Sequence, residues 1–313
     1  MTELMKVAYV FPGQGSQWVG MGHDLFDNLD SAKAIFNLAD EVLGFPLSKL
    51  CFEGPEDELK QTVNAQPALV TTSLACLRAI QEVSGNGLPS PTFVAGHSLG
   101  EYTTLAAAEV LDFATTIHLA RERGRLMYEA GQLCPGGMVA VIGLDEATLT
   151  DICRQTGTLI ANINCPGQIV ISGARDNLPQ ATDLAKAKGA RRAIPLQVSG
   201  AFHTPLMQPA YDGMTEIVAT LDFHDPIIPI IANSTAQPLT TAEAVKEELL
   251  RQLCNCLQWQ RSIEYMVDNG VSTFVEIGPG KVLTGLISRI SQNAKTINLG
   301  DLDSLKEKAN GPF

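Results

Sequence analysis

The sequence predicts an α/β protein in which a largely parallel sheet, covered by helices, is interrupted by a compact βαββαβ insert. Three observations carry this. Short β-rich runs alternate with longer stretches of helical spacing from Lys6 to Leu111. Between Gly136 and Gln197 the order changes to strand, helix, two strands, helix, strand, the split-βαβ or ferredoxin-like unit. After it, Ile227–Ala232 and Thr273–Ile277 resume the strand pattern and 281–290 is helical again.

Each element has a local reason. Lys6–Phe11 is an apolar run that enters a glycine loop. From Pro67 to Val83 the apolar residues 69, 70, 74, 77 and 80 fall on helical spacing. Thr92–Ala95 reads as a short strand and Leu99–Leu111 as a helix, and Asp112 caps a further helix to about Gly131. In the insert, strands at 138–142, 159–164, 168–173 and 192–197 frame helices at 145–155 and 178–189, with a Cys-Pro-Gly turn at 165–167. The division expected is a discontinuous large domain, 1–132 and 199–313, around an insert at 133–198.

Composition narrows the function. With 313 residues, 45% hydrophobic and 18% charged, the chain has material for a sizeable core. A net charge of -12 disfavours general nucleic-acid binding, which needs clustered cations, and disfavours anionic membrane surfaces. No apolar run approaches the roughly 20 residues of a spanning helix, and the Met1–Lys6 lead-in has no signal-peptide pattern. Seven scattered cysteines suggest reduced thiols, hence a cytoplasmic location, and Cys254 with Cys256 has no partner pair for a zinc site. No metal is expected.

The most informative peptide is Gly96-His97-Ser98-Leu99-Gly100, a G-x-S-x-G between a strand and a helix. A sharp strand-to-helix turn lifts the Ser98 hydroxyl clear of the sheet, and the Leu99 N–H can stabilise an oxyanion. A serine needs a general base. Of the five histidines, His203 and His224 are the candidates, and His97 reads as a packing or hydrogen-bonding residue, not the base. No acid offers itself as a third member, so a backbone carbonyl could orient the imidazole. Phe11–Gln17 is a second glycine loop, without a dinucleotide or P-loop pattern, that could supply another oxyanion donor. On the helix after Asp112, Arg123 shares a stripe with Leu119, Ala120, Leu126 and Met127, whereas Arg125 lies among Arg121, Glu122 and Glu129. A guanidinium on an apolar stripe calls for an anion, and its fork matches a carboxylate.

Phe11–Gln17, Gly96–Glu101, Arg123-Gly124, Asn162–Gly173, Gly200–Met207, Gln258-Trp259 and Glu276–Gly280 together resemble the malonyl-CoA:acyl carrier protein transacylases and the acyltransferase domains of polyketide and fatty acid synthases. The resemblance covers nearly the whole chain. It implies an α/β-hydrolase-like large domain with an inserted ferredoxin-like domain. It implies Ser98 as the acylated nucleophile, His203 as its base, oxyanion donors at the Gln14 and Leu99 N–H groups, and the Gln258 main-chain carbonyl on the His203 ring. Arg123 would bind the malonyl carboxylate, and Phe202 and Asn162 would line the substrate pocket. In relatives, Phe at the position of Phe202 goes with malonyl and Ser with methylmalonyl; Leu99 points the same way. Ala201 and Cys256 stand where many relatives carry proline.

The activity implied is ping-pong transfer of malonyl from malonyl-CoA to the phosphopantetheine thiol of acyl carrier protein, supplying fatty acid synthesis, with no cofactor. A polyketide acyltransferase, a serine thioesterase or hydrolase, and a non-catalytic carrier-binding module are the rivals. Both substrates are anionic, so local cations should matter. Lys186, Lys188, Arg191 and Arg192 form a run without acids and are the candidate carrier-docking surface. A monomer is expected.

Overall fold

The computed structural model describes residues 6–84 and 88–309. Residues 1–5 of the lead-in and 310–313 of the large-domain assignment lie outside the described residues. Among the described residues, ten strands form two sheets. They are β1 Lys6–Phe11, β2 Phe93–Gly96, β3 Gly136–Ile142, β4 Leu159–Cys165, β5 Gln168–Ala174, β6 Arg192–Pro195, β7 Ile230–Ile231, β8 Pro238–Leu239, β9 Val271–Ile277 and β10 Lys295–Leu299.

The larger sheet has the order β10-β9-β1-β2-β7-β8. Every pairing is parallel except β7 with β8. Alternation along β1 shows why both faces are covered. Val7, Tyr9 and Phe11 enter one apolar cluster, and Ala8 and Val10 enter the other. Side chains two apart share a face, so a strand apolar throughout must bury both.

The smaller sheet is antiparallel, in the order β4-β5-β3-β6. It is the βαββαβ unit expected from the sequence, with helices Glu146–Thr156 and Leu178–Ala187 between its strands. Val139, Val141, Ile169 and Ile171 pack under those helices, whereas Met138, Ala161 and Val170 join the main core. The two sheets therefore share an apolar boundary, and a cavity opens along it.

Several elements differ from the sequence reading in extent. The strand expected at Ile227–Ala232 contracts to β7, because Pro229 accepts from the Val94 N–H but has no N–H of its own for the ladder. The strand expected at 192–197 stops at Pro195. The helix after Ser98 ends at Ala107, and Glu109 then turns at φ 58. The helix read from Pro67 begins at Thr62 instead. Pro67 cannot donate to the Val63 carbonyl, and Arg121 donates to that oxygen in its place at 2.8 Å. Asp112 caps helix Phe113–Leu133 through the Thr115 N–H at 2.7 Å, as expected. Helices Ala242–Cys254 and Trp259–Asp268 were not anticipated, and the first supplies part of the site.

Candidate active site

Ser98 sits at the tip of the turn from β2 into helix Gly100–Ala107, at φ 50. A left-handed non-glycine residue costs on the order of 1–3 kcal/mol, and such strain gathers at functional sites. The turn is tight enough that a Cβ on Gly96 would overlap the Gly100 carbonyl, and one on Gly100 would overlap the Phe11 carbonyl. Asn233 clamps the turn from outside. Its Oδ1 accepts from the Ser98 N–H at 2.9 Å and its Nδ2 donates to the Gly96 carbonyl at 2.7 Å. Turn bonds begin with the Gly100 N–H to the His97 carbonyl at 2.9 Å. The Leu99 N–H precedes that ladder, at a helix N-terminus where donors lack intrahelical acceptors.

His203 faces this serine, with Nε2 and the Ser98 Oγ 2.9 Å apart. Its Nδ1–H donates to the Gln252 main-chain carbonyl at 2.7 Å, which leaves Nε2 bare to accept the hydroxyl proton. The expectation that Gln258 supplies this carbonyl is corrected. Gln258 opens helix Trp259–Asp268, and its carbonyl already accepts from the Ser262 N–H at 2.9 Å. Gln252 lies in the last turn of helix Ala242–Cys254, where carbonyls have no further helical N–H to accept from. His203 is 3% exposed. Burial first, and the Arg123 charge second, push its pKa down to about 3, so the imidazole is neutral at ordinary pH.

Arg123 is 1% exposed, on the apolar side of helix Phe113–Leu133. Among the described residues it makes no ion pair. Nη1 donates to Gln66 Oε1 at 2.9 Å, and Nη2 donates to Gln252 Oε1 at 2.7 Å and to Ser98 Oγ at 3.2 Å. Its carbon Cζ stands 5.0 Å from the Tyr102 ring centroid, and Nε, though buried, has no protein partner. A buried guanidinium with neutral partners only is costly unless an anion joins it. Arg125, by contrast, pairs with Glu122 and Glu129 at the surface.

Beneath these groups is a buried polar network. Gln252 Nε2 donates to the Ser98 carbonyl at 3.2 Å and to Glu101 Oε2. Glu101 Oε1 accepts from the Asn233 N–H at 2.9 Å. Burial first, and the carboxyl of Glu248 second, push the Glu101 carboxyl up to about 8, against the Asn233 and Gln252 donors, which pull it down. Against that shift, both of these contacts bring N–H donors to the carboxyl oxygens, an arrangement that suits the ionised form.

A cavity of about 400 Å³ opens over Ser98, His203 and Arg123. Gln14 and Asn162 line it from the Phe11–Gln17 loop and from β4, and Phe202, Met127 and Met138 supply apolar wall. Asn162 Oδ1 is buried without a protein partner. Gln17, Lys60 and Leu196 border the same cavity. His97 packs as expected: its ring reaches Asn164 Oδ1 at 2.9 Å and meets Trp259 edge-on, and burial lowers its pKa. His224 lies elsewhere, in a depression with Glu109 and Asp222. Lys186, Lys188, Arg191 and Arg192 are all exposed, running from the insert's second helix to the first residue of β6, and Lys186 stands 3.9 Å from Asp183.

Sequence reasoning did not single out Gln66, Asn233, Glu101 or Gln252. Glu101 carried a usable signal, since a glutamate in the otherwise uncharged run Gly100–Ala107 is out of place unless it has partners. Gln66, Asn233 and Gln252 stand at ordinary positions in the chain, and only their meeting at Arg123 and Ser98 marks them.

Comparison with known proteins identifies the family. The family model described as the acyl transferase domain matches residues 8–301. The malonyl CoA-acyl carrier protein transacylase of Bacillus subtilis (strain 168) is 45% identical over 308 residues, 97% of this chain and 96% of the relative. The crystal structure of an acyl-carrier-protein-S-malonyltransferase from Bartonella henselae superposes with a TM-score of 0.93 at 41% identity, covering 97% of this chain and 98% of that one. A malonyl-transacylase solved in complex with its type II PKS acyl-carrier protein gives 0.92 at 40% identity, covering 96% and 97%. Because the match spans both sheets and every residue of the cleft described above, the chain belongs to the acyl transferase domain family.

Proposed function

We infer that this protein transfers the malonyl group of malonyl-CoA to the phosphopantetheine thiol of holo-acyl carrier protein through a malonyl-serine intermediate. The observation that carries this is Arg123, a buried guanidinium without an acidic partner among the described residues, 3.2 Å from the Ser98 hydroxyl. Malonyl is a short acyl group whose far end is a carboxylate. Seated with that carboxylate near Arg123, its thioester carbon comes within reach of Ser98.

The chemistry follows from the geometry. His203 Nε2 takes the hydroxyl proton as Ser98 Oγ attacks the thioester carbonyl. The Leu99 and Gln14 N–H groups receive the oxyanion, and a single such donor is worth on the order of 10²–10³ in rate. The C–S bond breaks, and His203 returns the proton to the CoA thiolate. The carrier thiol then repeats the sequence in reverse, so the two half-reactions balance without a redox step or an external cofactor. Phe202 and Met138 limit the room beside the acyl chain, which favours an unsubstituted malonyl group. The exposed cations at 186, 188, 191 and 192 would meet the acidic carrier. Every group in the site comes from one chain, so a monomer suffices.

The product is an extender unit, assigned here to fatty acid synthesis. The relative solved with a type II PKS carrier makes a polyketide carrier the informative alternative acceptor. The test is mass spectrometry of the chain after mixing with malonyl-CoA, followed by addition of labelled malonyl-CoA and holo-carrier. A malonyl adduct on Ser98 that passes to the carrier thiol is expected. Release of free malonate at the same rate with and without carrier would make the protein a hydrolase instead.

A further inference from the structure

The best-connected buried side chain of the site is one that never faces the cavity. Gln252 touches three functional groups at once: its main-chain carbonyl holds His203, its Oε1 holds Arg123, and its Nε2 donates to the Ser98 carbonyl. An amide end can be reversed by a half-turn of its last torsion. Reversed, the Gln252 NH2 would point at the Arg123 N–H groups, and its oxygen would point at the Ser98 carbonyl. Those clashes alone do not hold the amide, because Arg123 could turn toward the cavity. What opposes reversal from the other side is the carboxylate of Glu101, which accepts from Gln252 Nε2. The other carboxylate oxygen is anchored by the Asn233 N–H, and Asn233 in turn clamps the Ser98 turn.

We propose that Glu101 is a positioning residue for malonyl selection, fixing the amide orientation of Gln252 and, through it, the aim of the Arg123 guanidinium. Glu101 never meets substrate. It sits on the far side of Gln252 from Arg123, so the chain Glu101–Gln252–Arg123 alternates acceptor, donor, acceptor and donor without a mismatch. A glutamine at 101 could not complete the pattern. One end of its amide would present N–H to either the Asn233 N–H or the Gln252 NH2, and relief at Gln252 would come by reversing that amide, which misaims Arg123.

This rests on the malonyl-transfer reading, and a wild-type chain that loads no malonyl group would reject that reading before any variant is compared. The test is a double-mutant cycle on the full chain with Glu101→Gln, Gln252→Met and the pair, measuring kcat/KM for malonyl-CoA and acetyl-CoA with holo-carrier. Gln252→Met leaves the main-chain carbonyl for His203 and removes only the amide. Glu101→Gln is expected to lower the malonyl-to-acetyl ratio by at least about tenfold, the scale of a hydrogen bond to a charged group. Gln252→Met is expected to do the same, and the pair to lower the ratio no further than either alone. A uniform loss for both thioesters, or ratios that multiply in the pair, would overturn the proposal. Should Glu101→Gln fail to fold, Gln252→Met with an unchanged ratio would overturn it equally.

Discussion

Ser98 and His203 are 105 residues apart in sequence, 2.9 Å apart in space, and both hold left-handed backbone, at φ 50 and φ 60. The dyad is thus built from two residues in conformations that most side chains avoid. Each is held there by neighbours: Ser98 by Asn233 and the glycines around it, His203 by the Gln252 carbonyl.

Relief of that strain should be measurable apart from activity. Both Ser98→Ala and Ser98→Gly are expected to abolish the acyl-enzyme. Only glycine tolerates φ 50 without cost, so Ser98→Gly should be the more stable of the two by roughly 1 kcal/mol. Denaturant unfolding of the two proteins compares them directly. Equal midpoints would mean that the turn carries no strain at this position.

The pH dependence of acylation should lack the usual histidine limb. With the His203 pKa pushed down to about 3, its neutral form persists well below its unfolded value of about 6.5. Single-turnover acylation by malonyl-CoA is expected to stay flat from neutrality down to about pH 5. A limb with a midpoint near 6.5 would contradict this. The same shift has a stability consequence. A histidine with a lowered folded pKa binds more protons when unfolded, so its contribution is complete above 6.5 and is lost as pH falls toward the folded value. In Arg123→Ala, one cause of the lowering is gone, and the His203 pKa should rise.

Arg123→Ala should also erase the preference for a carboxylate-bearing acyl group. Hydrogen bonds to a charged partner contribute about 1.5–3 kcal/mol, so the malonyl-to-acetyl ratio should fall by roughly tenfold to a hundredfold. Arg123→Lys is expected to recover little of it. A single ammonium cannot keep both Gln66 and Gln252 and still offer two parallel donors. Competition between labelled malonyl-CoA and acetyl-CoA reads the ratio. An unchanged ratio in Arg123→Ala would place selection elsewhere in the cleft.

Charge reversal at Lys188 and Arg191 should raise the KM for carrier protein and leave the KM for malonyl-CoA nearly unchanged. Exposed pairs contribute about 0.2–1 kcal/mol each, so the combined effect should be roughly two- to thirtyfold and should fade at high salt. Equal effects on both substrates would remove this surface from the docking account.

What the sequence determined by itself is local. A nucleophile between a strand and a helix, a strand order that marks an insert, and a cation on an apolar helical stripe all lie within a few turns of chain. The motif at Ser98, the βαββαβ unit and Arg123 were legible for that reason. What only the tertiary structure decided is non-local. The His203 carbonyl partner is Gln252 and not Gln258, because a carbonyl's availability depends on where a helix ends. Gln66, Asn233 and Glu101 matter only because three other helices of the chain and the turn after β7 meet the helix that carries Arg123 and the turn that carries Ser98. Spacing along a chain records which side chains share one element. It cannot record which buried donors meet which acceptors across elements, since that pairing is set by how the two sheets and their helices pack.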